Sequence, residues 1–194
     1  NKTTPTVTAT PSAAPITYGQ TLASATLSGG SGSVAGSFAY ATPTAAPETG
    51  SAEHEVVFTP SDTTTYNTVT FGVSVTVNKA NPTVTTLPTA ASLTYGQTLA
   101  DSTLGTGSVS VAGSWSWLDS TIAPNAGSGA QTAVFTPTDE TNYNTVNRSV
   151  TVVTSKATAS VSITDNAAGY DGSTHGVTVE TTPSGLSVSA VSYT

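Results

Sequence analysis

Cysteine and methionine are both missing from this chain of 194 residues. The lack of cysteine excludes disulfide staples and thiolate metal sites. Charge is scarce: 8% of the residues are Asp, Glu, Lys or Arg, against roughly 25% in an ordinary soluble protein. Four are basic and eleven acidic, for a net charge of −7. Four cations cannot neutralise a track of phosphates, which argues against a nucleic-acid partner, and the negative balance argues against an anionic membrane surface. The only histidines are His54 and His175. Strand alternation sends the flanking Glu53 and Glu55 to the face opposite His54, so the three do not converge on a metal or an acid–base pair. Nucleophilic triads have no members to assemble, and there is no phosphate-cradling loop. The chain therefore reads as a non-enzyme without a cofactor. It shows no leader, anchor motif or apolar run of membrane-spanning length. The opening "NKTTPTV" carries no initiator Met and reads as a fragment or a processed chain.

In place of charge there is Thr, Ser, Ala, Gly and Val. Thr and Val favour strands, because β-branched side chains fit a pleated surface, and Gly and Pro punctuate turns. The composition is that of an all-β protein. It is also written twice. "YGQTLA" at Tyr18 returns at Tyr95, "SVAGSF" at Ser33 returns as "SVAGSW" at Ser110, and "FTPSDTTTYNT" at Phe58 returns as "FTPTDETNYNT" at Phe135, each 77 residues on. Lys79 and Lys156 keep the same spacing. The expected domains are 1–79, 80–156 and an incomplete third unit, 157–194. The third starts in register, since Val7, Val84 and Val161 are evenly spaced, and then diverges around Tyr170-Asp171-Gly172.

Within the first copy, strands are expected at Thr6–Thr10, Ile16–Tyr18, Gln20–Leu27, Val34–Ala41, Glu53–Thr59 and Thr68–Asn78. The alternation in Gln20–Leu27 is weak. Ser28–Ser33 and the Pro-rich Thr42–Gly50 read as loops. Val34, Gly36, Phe38 and Tyr40 share one face, as do Val56 and Phe58, and Val69, Phe71, Val73, Val75 and Val77. Short strands of period two, with turn signals between them, predict a β-sandwich. Phe38/Trp115, Phe58/Phe135 and Val75/Val152 keep bulk at equivalent positions and are the expected core. A unit of this size buries only about 60% of its unfolded surface, so these positions must carry its stability.

The "TYGQTL" start, the "FTPTDETNYNT" turn and the "VNK" exit resemble bacterial immunoglobulin-like repeats of extracellular proteins, similar to the MBG and YDG-type repeats of large adhesins. The third unit, "GYDGSTHGVTVETTPSGLSVSAVSYT", resembles the first half of such a domain. The resemblance implies a secreted or cell-surface repeat protein, a stalk or adhesion module, with no catalytic residues to carry over.

The repeated turn invites a chemical reading. Asp62 and Asp139 follow a proline and precede a tyrosine by four residues. A short carboxylate there can bond amides two residues on, as an Asx-turn, with Tyr66 or Tyr143 as a lid whose hydroxyl reaches a loop carbonyl. Calcium wants about six to eight oxygens, and the first copy offers one carboxylate in the turn, so a structural corner is expected instead. Trp115 and Trp117 point to one face of a strand. Trp115 is expected in the core, with Trp117, in the place of Tyr40, near the sandwich end; the alternative is an aromatic platform for a glycan. Lys79 and Lys156 fall in linkers, which argues against internal Lys–Asn cross-links.

"VNKANPTV" between the first two units holds no Gly/Ser run, and Pro82 favours extended backbone before it. A semi-rigid rod is expected, with units about 35–40 Å long, from strands of about 11 residues at about 3.4 Å rise. In the third unit, strands are expected at Ala159–Ile163, Gly176–Thr181 and Leu186–Tyr193. Its apolar positions, Leu186, Val188 and Tyr193 among them, have no facing sheet in this chain. Three roles follow. The chain is a spacer or stalk whose partners are neighbouring immunoglobulin-like repeats. Or it is a module binding a glycan or a host or cell-surface protein through an aromatic surface at Tyr40 and Trp117 or through a Gly/Ser-rich loop tip such as Ser28–Ser33. Or it is a homo-polymer in which a strand from another molecule completes the third unit.

Overall fold

The computed structural model describes residues 1–164, 172, 178–182, 184 and 187–188. Over these the chain is all-β, arranged in several sheets. The first copy supplies β1 (Val7–Ala9), β2 (Ser12–Ala13), β3 (Ile16–Thr17), β4 (Leu27–Ser28), β5 (Ser31–Gly32), β6 (Gly36–Tyr40), β7 (Gly50–Pro60) and β8 (Val69–Asn78). β7 and β8 form a long antiparallel hairpin; β6 joins β7 antiparallel and β3 joins β8 parallel, in the order β3-β8-β7-β6. The ladders β1–β5 and β2–β4 complete the copy. The second copy repeats this with β9 (Val84–Thr86), β10 (Leu93–Thr94), β11 (Ser108–Val109), β12 (Gly113–Trp117), β13 (Gly127–Pro137) and β14 (Val146–Ser155). Its larger sheet runs β10-β14-β13-β12, β9 pairs with β11, and a single Ala90–Leu104 bridge replaces the β2–β4 ladder. Beyond it, β15 (Ser160–Thr164) pairs antiparallel with β16 (Thr178–Thr182).

Alternation places the core. On β7, Val56, Phe58 and Pro60 are buried, and on β8, Val73, Val75 and Val77. Ile16, Leu22 and Ala25 close over Val75 and Val77. Phe58 lies opposite Phe38 in register, with ring centroids 5.0 Å apart; Trp115 and Phe135 repeat the pair at 5.3 Å. The expected core positions Phe58, Phe135, Val75 and Val152 are buried. Phe38 and Trp115 are half-buried, because β6 and β12 are edge strands with a neighbour on one side only. Gly36 faces Pro60, and a Cβ there would come within 2.6 Å of the Phe58 ring. The glycine is what lets the ring fill the space under the edge strand.

Three expectations need correction. Gln20–Leu27 is no strand: Leu22–Ser24 is a 3-10 turn, and only Leu27–Ser28 is extended. Leu22 and Ala25 are both buried at a spacing of three residues, which a 3-10 turn aligns on one face and a strand does not. Leu22 N–H and Ala23 N–H bond to the Ala45 and Pro43 carbonyls, so this turn is held by the Pro-rich loop. The Gly/Ser stretch expected to be all loop contains β5, and β6 begins only at Gly36. In the third unit, β15 and β16 sit one or two residues later than expected; the Leu186–Tyr193 strand lies outside the described residues except for Ser187 and Val188.

Candidate functional site at the junction of the two copies

The repeated turn first satisfies itself. Asp62 Oδ1 accepts hydrogen bonds from Thr64 N–H at 3.0 Å, Thr65 N–H at 3.1 Å and the Thr64 hydroxyl at 2.6 Å. These donors hold its carboxyl at a pKa of about 2, with the Thr64 side chain the largest cause. The folded value lies below the ordinary 3.8, so the contribution to stability is complete above that pH and is lost as the pH falls from 3.8 towards about 2. The stability gap between the native chain and Asp62→Ala, followed as the urea midpoint against pH, is expected to be constant near neutrality and to shrink across that window. In the second copy, Asp139 accepts from Asn142 through both its backbone N–H at 3.1 Å and its side-chain amide at 3.0 Å. The Asn142 side chain is the largest cause lowering the Asp139 pKa.

Each turn then grips the segment that enters its copy. Thr3 N–H donates to Thr65 O at 2.9 Å, and Asn67 N–H donates to Thr3 O at 3.0 Å. The second copy repeats the clamp, with Ala80 N–H on Asn142 O and Asn144 N–H on Ala80 O, both at 2.9 Å. The turn is therefore a receiver of the incoming chain as well as the start of β8 or β14. The Lys79 ammonium, exposed in the linker, donates to the Glu140 carbonyl at 2.6 Å and ties the linker to the same turn.

The second turn also reaches back onto the first copy. The Tyr143 ring lies edge-on to Tyr18, centroids 5.4 Å apart and planes at 82°. The expected lid over its own hairpin is thus a contact between copies. Asn142, 7% exposed, is the hub. Its Oδ1 accepts from Thr49 N–H at 3.2 Å and from the Thr49 hydroxyl at 3.1 Å, and its Nδ2 donates to Glu48 Oε2 at 2.6 Å. The Thr49 hydroxyl also lies 2.8 Å from the Thr141 carbonyl. Glu48 is the largest cause raising the Tyr18 pKa, followed by desolvation and by Asp139 and Tyr143. Two carboxylates, Glu48 and Asp139, are held on one amide that donates to both. Donors on one side of Asn142 and acceptors on the other fix its orientation.

Sequence reasoning singled out Asp139 and Tyr143 but not Glu48, Thr49, Asn142 or Tyr18 as a set. The available signal was divergence between the copies. Glu48, Thr49 and Asn142 correspond to Asn125, Ala126 and Thr65 at the spacing of 77. All three departures meet at this junction.

The residues expected to form a ligand surface lie elsewhere. Tyr40 is half-buried against the first core. Its hydroxyl and the Nε2 of half-buried His54 are enclosed without a hydrogen-bond partner. Trp117 is half-buried on the Leu93–Leu99–Val152 cluster, and its Nε1–H donates to the Ser102 carbonyl at 2.7 Å. Val188 is 42% exposed; Leu186 and Tyr193 lie outside the described residues. An open recess of about 510 Å³ is lined by Leu99, Ser102, Leu104, Trp115 and Trp117. Among the described residues, no cluster of His, Asp or Glu could hold a metal ion, and no helix is long and apolar enough to cross a membrane. No protein-family model matches the chain, and no curated protein does.

Proposed function

We propose that the chain is a structural repeat segment, a stalk or spacer, of a secreted or cell-surface bacterial protein, composed of tandem immunoglobulin-like β-sandwiches. The observation that carries this reading is the junction. A flexible tether would leave the two copies without side-chain contact, whereas here Tyr18, Glu48 and Thr49 of one meet Asn142 and Tyr143 of the next. The linker is itself bonded into the second turn at Lys79 and Ala80. The mechanism is mechanical: long strands run through each unit, and the docked turn limits bending. Small-angle scattering is expected to give one extended, narrow distribution of shapes; a compact, bent pair would exclude the reading.

A glycan-binding role is favoured by one feature. Trp115 and Trp117 both line the open recess of about 510 Å³. Glycan-array binding by the native chain that disappears in Trp117→Ala is the expected result of that reading, and binding unchanged in the variant removes it. A fibre assembled through the third unit is favoured by Val161 and Ile163 on β15, which are 57% and 46% exposed. Sedimentation showing a monomer at high concentration removes it.

A further inference from the structure

The recess beside β12 belongs to the second copy, and the copies differ there in one direction. Nine residues line it. Four are the same residue in the first copy; the other five are Ser102 for Ala25, Trp115 for Phe38, Ser116 for Ala39, Trp117 for Tyr40 and Ser120 for Pro43. Each change brings an indole or a hydroxyl. The bordering segment gains Leu118 and Ile122 where the first copy has Ala41 and Ala45. Both are exposed, so the added apolar area contributes nothing to the core and is left for contact from outside. The backbone of this segment is tied to the recess wall, since Leu99 and Ala100 N–H donate to the Ile122 and Ser120 carbonyls at 2.8 and 2.9 Å. Asp119, in the place of Thr42, accepts from the Thr121 N–H at 2.9 Å and from its hydroxyl at 2.6 Å, which pins the rim. The Trp117 indole is fixed in turn by the Ser102 carbonyl and by the Leu93–Leu99–Val152 cluster. A ring held in place beforehand loses little freedom when a ligand arrives.

We propose, on the glycan-binding reading, that this recess is a site for a neutral saccharide carried by the second copy and not the first, with one sugar ring laid against Trp117 and its hydroxyls bonded by Ser116 and Ser120. A sugar ring has apolar C–H faces and a rim of hydroxyls, so it asks for flat aromatic surface and a few convergent hydrogen-bonding groups. The Ser102 hydroxyl is taken by the Ala91 carbonyl at 2.6 Å. Those of Ser116 and Ser120, both exposed residues, have no partner among the described residues. None of the nine lining residues is charged, so nothing in the recess meets a carboxylate, sulfate or phosphate on a sugar, and the Asp119 carboxylate on the rim repels one. A peptide strand added to the free edge of β12 would use backbone groups, which β6 offers equally in the first copy. What the second copy has gained is side chains.

Both tryptophans of the chain line the recess, so their emission reports binding directly. The full chain is titrated with hexamers of glucose, of N-acetylglucosamine and of galacturonate, with every glycan that an array retains, and with an extended Val/Thr peptide. A saturable change in emission is expected with a neutral glycan and not with hexagalacturonate or the peptide. Ser116→Ala with Ser120→Pro installs the residues that the first copy carries at these positions, so the fold tolerates them. The urea midpoint of this double variant should match that of the native chain, and its affinity for the neutral glycan should be at least about tenfold weaker. Unchanged affinity in the double variant overturns the proposal, as does a response to hexagalacturonate or to the peptide in place of the neutral sugars. A glycan retained on the array without any change in tryptophan emission overturns the recess alone and leaves the glycan-binding reading to another surface. No glycan held in either assay overturns both.

Discussion

Phe58→Ala is expected to unfold the first copy and leave the second standing. Phe58 is 1% exposed. Its ring meets Phe38 and fills the space kept open by Gly32 and Gly36, where a Cβ would come within 2.6 Å of it. Truncating a buried phenylalanine costs about 3–5 kcal/mol in lost transfer energy and residual cavity. A unit of this size holds only about 4–12 kcal/mol, at about 0.05–0.15 kcal/mol per residue, so the change removes a large share of the total. The edge strand β6 cannot collapse into the gap without breaking its register with β7, which pairs Gly36 to Pro60 and Tyr40 to Val56. Both tryptophans, Trp115 and Trp117, belong to the second copy, so tryptophan emission reports on that copy alone. In urea titrations of Phe58→Ala, the far-ultraviolet circular dichroism midpoint should drop well below the tryptophan midpoint, which moves only by the loss of the junction. Equal shifts in both signals would show that the two copies fold as one unit. Phe135→Ala should give the mirror result, with tryptophan emission lost first.

The parts that were legible in the sequence are those governed by period two. β7 and β8 announce themselves by Val56, Phe58, Val73, Val75 and Val77, because a hairpin buried on one face must alternate. The 3-10 turn at Leu22 is hidden in the sequence, because one turn of that helix buries residues three apart, and a few residues of weak alternation look the same as a strand. β5 leaves no signal in the sequence, because Ser31 and Gly32 carry no apolar pattern; Gly32 admits the Phe58 ring. The copies also compensate each other across strands, which becomes visible once the register is known. Tyr40 faces Val56, and in the second copy the larger Trp117 faces the smaller Ala133. The indole N–H then donates to the backbone carbonyl of Ser102, which stands in the place of Ala25 and adds a hydroxyl bonded to the Ala91 carbonyl at 2.6 Å. Such a pair reads as two unrelated substitutions in a linear comparison. The junction was the least legible. The aspartate and tyrosine of the turn recur, as Asp62/Asp139 and Tyr66/Tyr143, but the specificity of the junction sits in Glu48, Thr49 and Asn142, which do not recur and so carry no repeat signal.

Asn142→Ala is expected to uncouple the copies without unfolding either. The side chain removes two problems at once: it donates to Glu48 and Asp139, and it accepts the Thr49 donors. Hydrogen bonds to charged groups are worth about 1.5–3 kcal/mol each and do not add, so a loss of about 2–3 kcal/mol of coupling is the expected scale. In an array whose stability sums unit terms and interface terms, that loss falls on the interface. The scattering distribution should broaden and Tyr18 should become reactive towards nitration, while the tryptophan midpoint moves less than in Phe135→Ala. Asn142→Asp separates electrostatics from shape. It keeps the size of the side chain but removes the Nδ2 donor and sets a third carboxylate against Glu48 and Asp139. At neutral pH it should loosen the junction more than Ala does, because like charges replace a bonded amide. Acidification through the ordinary carboxylate range, around pH 4, should then tighten it, since protonation removes the repulsion and restores an O–H donor. The native junction has the opposite slope. The pKa of Asp139 is lowered by Asn142, so its contribution is present above the ordinary carboxylate range and is lost as the pH falls through its depressed value. Opposite responses of the two chains to acid, read as the breadth of the small-angle scattering distribution, would assign the joint to this one amide; parallel responses would assign it to the tyrosine pair instead.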